Sequence, residues 1–186
     1  MENFNKMLSL VLLSEVGPNF DCEDTETKAG LCSTPRQKRK TGYNKVRGDK
    51  GGATKFGIAS ASHPHVNVSK MTYDEACQIY HKDYFIPVKC DEMTYELGLV
   101  VFDCAVNSGI GKAVKTLQRV LHLPEDGKMG PHTLAKLKEA DQKQLASDFL
   151  DTREQFYRAV VKNKPSQKRF IKGWLARVNF LRQQIA

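Results

Sequence analysis

The segment YELGLVVFDCAVNSG, residues 95–109, constrains the fold more than any other part of the chain, because a helix of this sequence is apolar on almost every side. Such a helix is typical of the buried centre of a domain. No apolar run in the chain reaches the roughly 18 residues that indicate a membrane-spanning helix. The segment therefore predicts a central helix, ended by Asn107, Ser108 and Gly109, around which a helical core packs.

The other helices are predicted from apolar residues at helical spacing and from residues that begin or end helices. Thr72 and Glu75 form a capping box, Pro131 suits the first position of a helix, and Asp141 is a predicted N-cap. The predicted helices cover about 3–16, 73–86, 111–121, 131–139, 142–162 and 166 onwards. The last one is predicted to bury Phe170, Trp174, Val178 and Leu181.

These elements predict an α+β fold that is mainly α, with a small β or irregular subregion near the N-terminus. A chain of 186 residues suits one domain with a sizeable core. We therefore expect a single domain over residues 1–186. Residues 1–71 would supply the N-terminal helix, a basic insertion and a glycine-rich turn, and residues 72–186 a helical lobe.

The formal net charge of +8 indicates a polyanionic partner, such as nucleic acid, anionic lipid or an acidic cell-wall polymer. The densest basic run, PRQKRK at 35–40, has no interleaved aromatic residue, and no zinc-finger or RNA-binding signature lies near it. The sequence therefore argues against a nucleic-acid site, and a solvated loop is the commoner explanation of such a run.

The five cysteines are an odd, scattered set without a C-x-x-C pair, which argues against a disulfide framework and a standard zinc site. Cys22 and Cys32 flank one loop, and whether they pair stays open. His63 and His65 lack a third ligand at a recognised spacing. We therefore interpret both as exposed turn histidines, and expect neither a metal nor another cofactor.

Three polar residues near the N-terminus form a candidate set, although a solvated charge or a plain turn explains each one alone. Glu15 follows Phe4 by eleven residues, close to three helical turns, so it lies at the end of an apolar helix face. Asp49 and Thr54 lie in GDKGGATKFGI, where glycines favour a turn or a short hairpin. Glycoside hydrolysis needs a protonated carboxylic acid and a second carboxylate. Apolar surroundings favour the first and a polar turn the second, so Glu15 and Asp49 fit these roles.

Four segments resemble those of a known family. TGYNKVRGDKGGATKFGI resembles the segment that marks glycoside hydrolase family 108, the phage-type lysozymes also called N-acetylmuramidases. VFDCAVNSGIGKAVKTLQRVL is similar to the family's buried helix and its Asn-Ser-Gly turn. DGKMGPHTL resembles the family's C-terminal segment, which is similar to small peptidoglycan-binding modules, and FIKGWLARV resembles its closing Gly-Trp motif.

The resemblance implies a lysozyme-like fold with a peptidoglycan-binding-like segment around 111–140. It also implies an enzyme, an endolysin, that hydrolyses β-1,4 glycosidic bonds of bacterial peptidoglycan. Glu15 would be the general acid, and Asp49 and Thr54 would act on water or on the charge of the transition state. Tyr43 and Gly52 belong to the matched motif and are expected to contact the substrate.

The assignment of Asn107 to substrate binding has an alternative. Asn107 shares a helix face with Asp103, so it either makes hydrogen bonds in the core or contacts a sugar. The acid has an alternative too, because the family Glu directly precedes Gly-Gly-Tyr, whereas Lys40 precedes TGY here. Either Glu15 is the acid and about 25 residues loop out, or the acid has been lost.

Two rival functions follow. One is a catalytically inactive peptidoglycan-binding or virion structural protein on the same fold. The other is a chitin-type glycosidase, which the same two carboxylates would serve.

The expected partner is peptidoglycan, without nucleic acid and without stable membrane insertion. We expect a monomer that is made in the host bacterial cytoplasm and acts on peptidoglycan in the periplasm, or is carried in the virion. The run MLSLVLLS is too short for a membrane helix and lacks an A-x-A-like cleavage site. Export would therefore depend on a separate pore-forming protein or on delivery within a virion.

Overall fold

The structure is a computed structural model that describes residues 2–16, 44–45 and 53–186. Backbone contacts divide the chain into two compact units, Met1–Asp83 and Tyr84–Ala186. In its described residues the first unit holds one helix, a small sheet and a second helix, and the second unit is helical. The predicted fold class, α+β and mainly α, is confirmed. The expectation of one domain over residues 1–186 stays a prediction.

The first helix, α1, covers Glu2–Val16 and confirms the prediction for 3–16. Its apolar residues recur every three or four positions, so they share one face of the helix. That face is buried, with each side chain at most 2% exposed, and it consists of Phe4, Met7, Leu8, Val11 and Leu12.

A three-stranded antiparallel sheet follows, with β1 at Asn44–Lys45, β2 at Ala53–Lys55 and β3 at Ile58–Ala59. The strands are paired in chain order, so β2 is the central strand. Phe56 and Gly57 form the two-residue turn between β2 and β3, and both have positive φ. Two consecutive positive φ values are typical of the type I′ turn that suits the strand twist. Of the turn or short hairpin predicted for GDKGGATKFGI, the hairpin is found, between β2 and β3.

Helix α2 covers Tyr73–Tyr80 and begins with the predicted capping box. The Thr72 hydroxyl accepts a hydrogen bond from the backbone N–H of Glu75, and the Glu75 carboxylate accepts one from the backbone N–H of Thr72. A π-helical turn at His81–Phe85 follows. Because a π-helical turn needs five residues, the next buried aromatic is Phe85, whereas the α-helical pattern predicts Tyr84.

The second unit contains five α-helices among its described residues: α3 at Tyr95–Ser108, α4 at Ile110–Val120, α5 at Pro131–Glu139, α6 at Gln142–Asn163 and α7 at Ile171–Gln184. Short 3-10 turns lie at Cys90–Glu92 and Pro165–Phe170. Helix α3 packs against α4 and α6, and α6 packs against α7.

Helix α3 is the centre of this unit, as its sequence predicts. Every residue from Leu97 to Ala105 is buried, including one carboxylate, Asp103. Gly109 has a φ of +88°, which favours glycine, and it ends α3 directly before α4. The predicted starts of α5 at Pro131 and of α6 after Asp141 are also confirmed.

The final helix differs from its prediction. Val178 and Leu181 are buried, but Phe170 is 41% exposed and Trp174 is half-buried. The reason is local: residues Pro165–Phe170 form a 3-10 turn, with three residues per turn. Phe170 therefore does not continue the face of α7 that carries the buried residues.

Candidate functional site

Thr54 occupies the middle of β2, the central strand of the sheet. It pairs with Asn44 on β1 and with Ala59 on β3, so its backbone is held from both sides. Its side chain is half-buried and makes no hydrogen bond with any residue that the structure describes. The neighbouring Lys55 donates a 2.8 Å hydrogen bond to the Met71 carbonyl oxygen. Because side chains alternate along a strand, Thr54 faces the side opposite to Lys55.

The turn after β2 is anchored to α2. Phe56 is 1% exposed and has a φ of +50°, which is uncommon for a residue with a side chain. The Tyr80 hydroxyl donates a 2.8 Å hydrogen bond to the Phe56 carbonyl oxygen, and the Tyr73 ring meets the Phe56 ring edge-on at 5.8 Å. These contacts fix the hairpin that carries Thr54.

Tyr73 links the hairpin to α1. Its ring contacts Phe56, and its hydroxyl interacts with Ser9 on α1 and with Cys77 on α2. Burial raises the pKa of the Tyr73 hydroxyl above its usual range, so it stays protonated near neutral pH. Burial also raises the pKa of the Cys77 thiol to about 11, which makes this thiol a poor nucleophile. The role of this pair is therefore to hold α1, α2 and the hairpin together.

Glu15 lies in the last turn of α1. Its position in the helix is four residues after Val11 and seven after Leu8, both of which are fully buried. The predictions for Tyr43, Asp49 and Gly52 lie outside the described residues. The same holds for Cys22, Cys32 and the basic run at 35–40.

Asn107 lies near the end of α3 in the second unit and is exposed. Its Oδ1 accepts hydrogen bonds from Arg153 at 3.3 Å, from the Tyr157 hydroxyl at 3.2 Å and from the Ser108 hydroxyl at 3.2 Å. Asn107 therefore has the hydrogen-bonding role within the protein that the sequence left open. Substrate binding by Asn107 stays a prediction.

Asp103, one helical turn before Asn107, is fully buried between two arginines. Arg153 is 3% exposed and donates to one carboxylate oxygen, and Arg177 donates to both oxygens at 2.7–3.0 Å. Burial alone would raise the pKa of the Asp103 carboxyl, but the two guanidinium groups hold it below its usual range. Two guanidiniums and one carboxylate leave one positive charge in excess.

The sequence analysis does not pair Asp103 with Arg153 or Arg177, because these arginines lie 50 and 74 residues away along the chain. The sequence does contain one indication that Arg153 is buried and paired. Arg153 interrupts an apolar face of α6 that includes Phe149, Leu150 and Tyr157, and a buried arginine needs a partner.

The DGKMGPHT segment is held from inside by Gln118 of α4, which is 2% exposed. The Gln118 amide nitrogen donates to Asp126, to the Lys128 carbonyl oxygen and to Thr133, and its carbonyl oxygen accepts from the Gly127 N–H. These bonds satisfy the polar groups of the turn within the chain. The segment therefore connects α4 and α5 through hydrogen bonds within the chain.

His65 is exposed, whereas His63 is half-buried and lies 3.2 Å from Asp83 through its Nε2 atom. The interpretation of both as exposed turn histidines is thus wrong for His63, because this contact covers its ring. Among residues 2–16, 44–45 and 53–186, no group of three or more His, Cys, Asp or Glu side chains could hold a metal ion.

A surface pocket lies between the start of α6 and the end of α7. Its lining includes Asp141, Gln144, Ser147 and Arg182, and none of the candidate site residues. Within the part of the chain that is described, no helix is long and apolar enough to cross a membrane.

Two family profiles match consecutive parts of the chain. The profile of glycosyl hydrolase 108 matches residues 37–109, and a profile described as "Predicted Peptidoglycan domain" matches residues 112–179. The first range contains Tyr43, Asp49, Gly52, Thr54 and Asn107, and Glu15 lies before it.

Among the solved structures that match is that of Brucella abortus SagA. It is 30% identical in sequence, with a TM-score of 0.64, and the similarity covers 77% of this chain and 84% of that one. No curated protein matches the chain significantly.

Proposed function

Because this chain belongs to the glycosyl hydrolase 108 family and is a glycoside hydrolase, we propose that it is a lysozyme that cleaves the β-1,4 glycosidic bonds of bacterial peptidoglycan. The observation that carries the proposal is the order of the two matches. A glycoside hydrolase segment at 37–109 is followed directly by a peptidoglycan domain at 112–179 in one chain. The net charge of +8 supports an anionic polymer as the substrate.

We assign the general acid to Glu15. A general acid must keep its proton near neutral pH, and apolar surroundings favour the protonated form of a carboxyl group. The position of Glu15 supports this role, because it shares the helix register of buried residues such as Val11 and Leu8. The protonated carboxyl would donate to the leaving glycosidic oxygen.

Asp49 and Thr54 complete the proposed catalytic set. Asp49 precedes Thr54 by five residues, in the motif that also contains Gly52. Two paired strands hold the Thr54 backbone, and its half-buried hydroxyl bonds to no described residue, so it is free to orient a water molecule. In this proposal Asp49 activates that water or stabilises the positive charge that develops on the sugar. Tyr43, Gly52 and Asn107 are the proposed substrate contacts.

The resemblance to phage-type lysozymes supports an endolysin that lyses the host cell from within, or an enzyme carried in a virion. The proposed place of action is the periplasm, after synthesis in the host cytoplasm. Access would come from a separate pore-forming protein or from the virion. This assignment is testable by asking whether the protein lyses intact cells only after the inner membrane is permeabilised.

The direct test is the release of reducing sugar ends from purified peptidoglycan sacculi, with chitin in parallel. New muramic-acid reducing ends from sacculi, and none from chitin, are the expected result. Binding to sacculi without release of reducing ends would instead favour the inactive wall-binding protein. The observation that favours this rival is that Lys40, and not a glutamate, directly precedes TGY. Cleavage of chitin alone would favour the chitin-type rival.

A further inference from the structure

Four aromatic rings form a contiguous row in the second unit, here called the aromatic row: Phe156, Tyr157, Trp174 and Phe170. The Tyr157 and Trp174 rings stack with centroids 5.0 Å apart at 22°, and Phe170 and Trp174 stack at 5.8 Å and 28°. The Phe156 ring lies 5.7 Å from the Tyr157 ring and is tilted by 53° against it. Tyr157 is buried, and the other three reach the surface, with Phe170 the most exposed. Packing of α7 on α6 explains the inner rings, but not an exposed Phe170.

A cation lies over a ring near each end of this row. The Lys112 Nζ atom is 3.5 Å from the Phe156 centroid, and the Arg169 guanidinium carbon is 4.6 Å from the Phe170 centroid. Neither cation makes an ion pair with any residue that the structure describes. The contrast is with Arg119 and Arg158, which each pair with a glutamate. The rings hold Lys112 and Arg169 in place while their charges stay available to a ligand.

Asn107 adds an oriented donor beside the row. Arg153 can only donate hydrogen bonds, so the Asn107 atom that faces it must be the carbonyl oxygen. The Tyr157 hydroxyl donates to the same oxygen at 3.2 Å. The Asn107 amide nitrogen therefore points away from both groups, and it makes no hydrogen bond with a described residue.

We propose that the aromatic row, with Lys112, Arg169 and Asn107, is a binding site for a peptidoglycan glycan strand. The exposed ring of Phe170 and the half-buried ring of Trp174 offer apolar surface to the C–H groups of the sugars. Lys112 and Arg169 pair with the free carboxylates of the stem peptides, and Arg169 suits them best because its guanidinium is planar. Asn107 donates to a sugar acetamido or hydroxyl oxygen. This inference rests on the proposed function, because it takes the same polymer as ligand.

The peptidoglycan match at 112–179 contains every member of the site except Asn107. Charge complementarity supports the same ligand, because Lys164, Lys168 and Lys172, which lie near Arg169 in the chain, are also exposed and basic. Glu125 interacts electrostatically with Lys112, but its carboxylate forms its ion pair with Arg119.

The first test uses the double variant Lys112→Gln/Arg169→Gln in a sedimentation assay with purified sacculi, performed in the cold so that hydrolysis is slow. Loss of two charge-assisted contacts should weaken binding by about tenfold or more. The matched control is Lys115→Gln/Lys143→Gln, which removes the same charge from exposed positions on α4 and α6. The control should bind as the wild type does. Equal loss in both variants, or no loss in the first, would overturn the site.

The second test uses Trp174, the one tryptophan of the chain, as a reporter. Its fluorescence should change when soluble peptidoglycan fragments are added to the wild-type protein, and Phe170→Ala should weaken this titration. Ile86→Ala, another exposed apolar residue of the same unit, is the control and should titrate normally. An unchanged midpoint for Phe170→Ala would remove the aromatic row from the site.

A third arm separates this inference from the proposed function. Amidation removes the negative charges of the sacculi. The wild type should therefore bind amidated sacculi no more tightly than the double variant binds native sacculi. If the wild type bound both kinds of sacculi equally well, the cation contacts would be overturned. Hydrolysis is scored separately from reducing ends. If the wild type releases no ends but the binding differences hold, the lysozyme proposal fails and the binding site stands. If hydrolysis is normal and the differences vanish, only the binding site fails.

Discussion

The Tyr80 hydroxyl donates a 2.8 Å hydrogen bond to the Phe56 carbonyl oxygen, which joins α2 to the turn after β2. Both side chains are at most 2% exposed, so the bond lies in the core of the first unit. Thr54 lies two residues before Phe56 on the strand that this turn ends. The position of a proposed catalytic hydroxyl thus depends on a tyrosine that does not itself take part in the chemistry.

Tyr80→Phe should lower both stability and activity. The change leaves a buried carbonyl oxygen of Phe56 without this donor, which typically costs about 1–3 kcal/mol of unfolding free energy. The hairpin would also be less well held, so the rate of sacculus hydrolysis should fall although no catalytic group has changed. Urea unfolding and a reducing-end assay measure the two effects. Normal activity in a clearly destabilised variant would show that Thr54 is held without Tyr80.

The sequence predicts the elements whose signals are local. The Thr72–Glu75 capping box, Pro131 at the start of α5 and the Asp141 cap each depend on residues within one helical turn, and each is found as predicted. The burial of α3 follows from its composition alone.

The parts that failed depend on helix type or on distant partners. A 3-10 turn at Pro165–Phe170 and a π-helical turn at His81–Phe85 change the residue period, so Phe170 and Tyr84 leave the faces that a 3.6-residue period predicts. The pairing of Asp103 with Arg177 crosses 74 residues, and no local pattern encodes it. At the candidate site, the sequence analysis proposes Thr54 but does not include Tyr73 or Tyr80, which hold its hairpin.

Glu15→Gln should abolish hydrolysis of sacculi and leave the fold intact. General acid catalysis typically contributes about 10²–10⁴-fold, and an amide cannot supply the proton, so the rate should fall at least that far. The matched control is Glu2→Gln, the same change on the same helix at an exposed residue that pairs only with Lys6 among the described residues. Circular dichroism checks that both variants fold. Activity within a few-fold of wild type in Glu15→Gln would mean that another group is the acid.

Substitutions at Asp49 and Thr54 should differ in their effects. Asp49→Asn removes a charge that the proposal places beside the reacting sugar, so activity should fall strongly. Thr54→Ala should cost less, because other groups also hold the water, and Thr54→Ser should restore most of the activity because it keeps the hydroxyl. Initial rates of reducing-end release measure all three. If Asp49→Asn lowered only the melting temperature, Asp49 would be a turn residue without a catalytic role.

Asp103→Asn should destabilise the protein strongly. The variant leaves Arg153, which is 3% exposed, and Arg177, which is 10% exposed, close together without their shared carboxylate. Removal of one partner from a buried ion pair typically costs about 3–5 kcal/mol. The control is Asp151→Asn, which removes a half-exposed partner of Arg182 on α6 and should cost about 1 kcal/mol or less. Equal unfolding free energies for the two variants would contradict the central role of Asp103.

The pH dependence of stability gives an independent check on Asp103. Its pKa is lowered in the folded protein by the two guanidiniums, against an unfolded value of about 3.9, so the unfolded chain takes up a proton first as the pH falls. The stabilisation is therefore fully present above that unfolded value and is lost as the pH falls through the lowered folded value. Urea unfolding of the wild type and Asp103→Asn should consequently show a wide gap at neutral pH. The gap should narrow in acid, because only the wild type loses this contribution. A gap of constant size from neutral to strongly acidic pH would mean that the Asp103 carboxylate does not stabilise the fold through its charge.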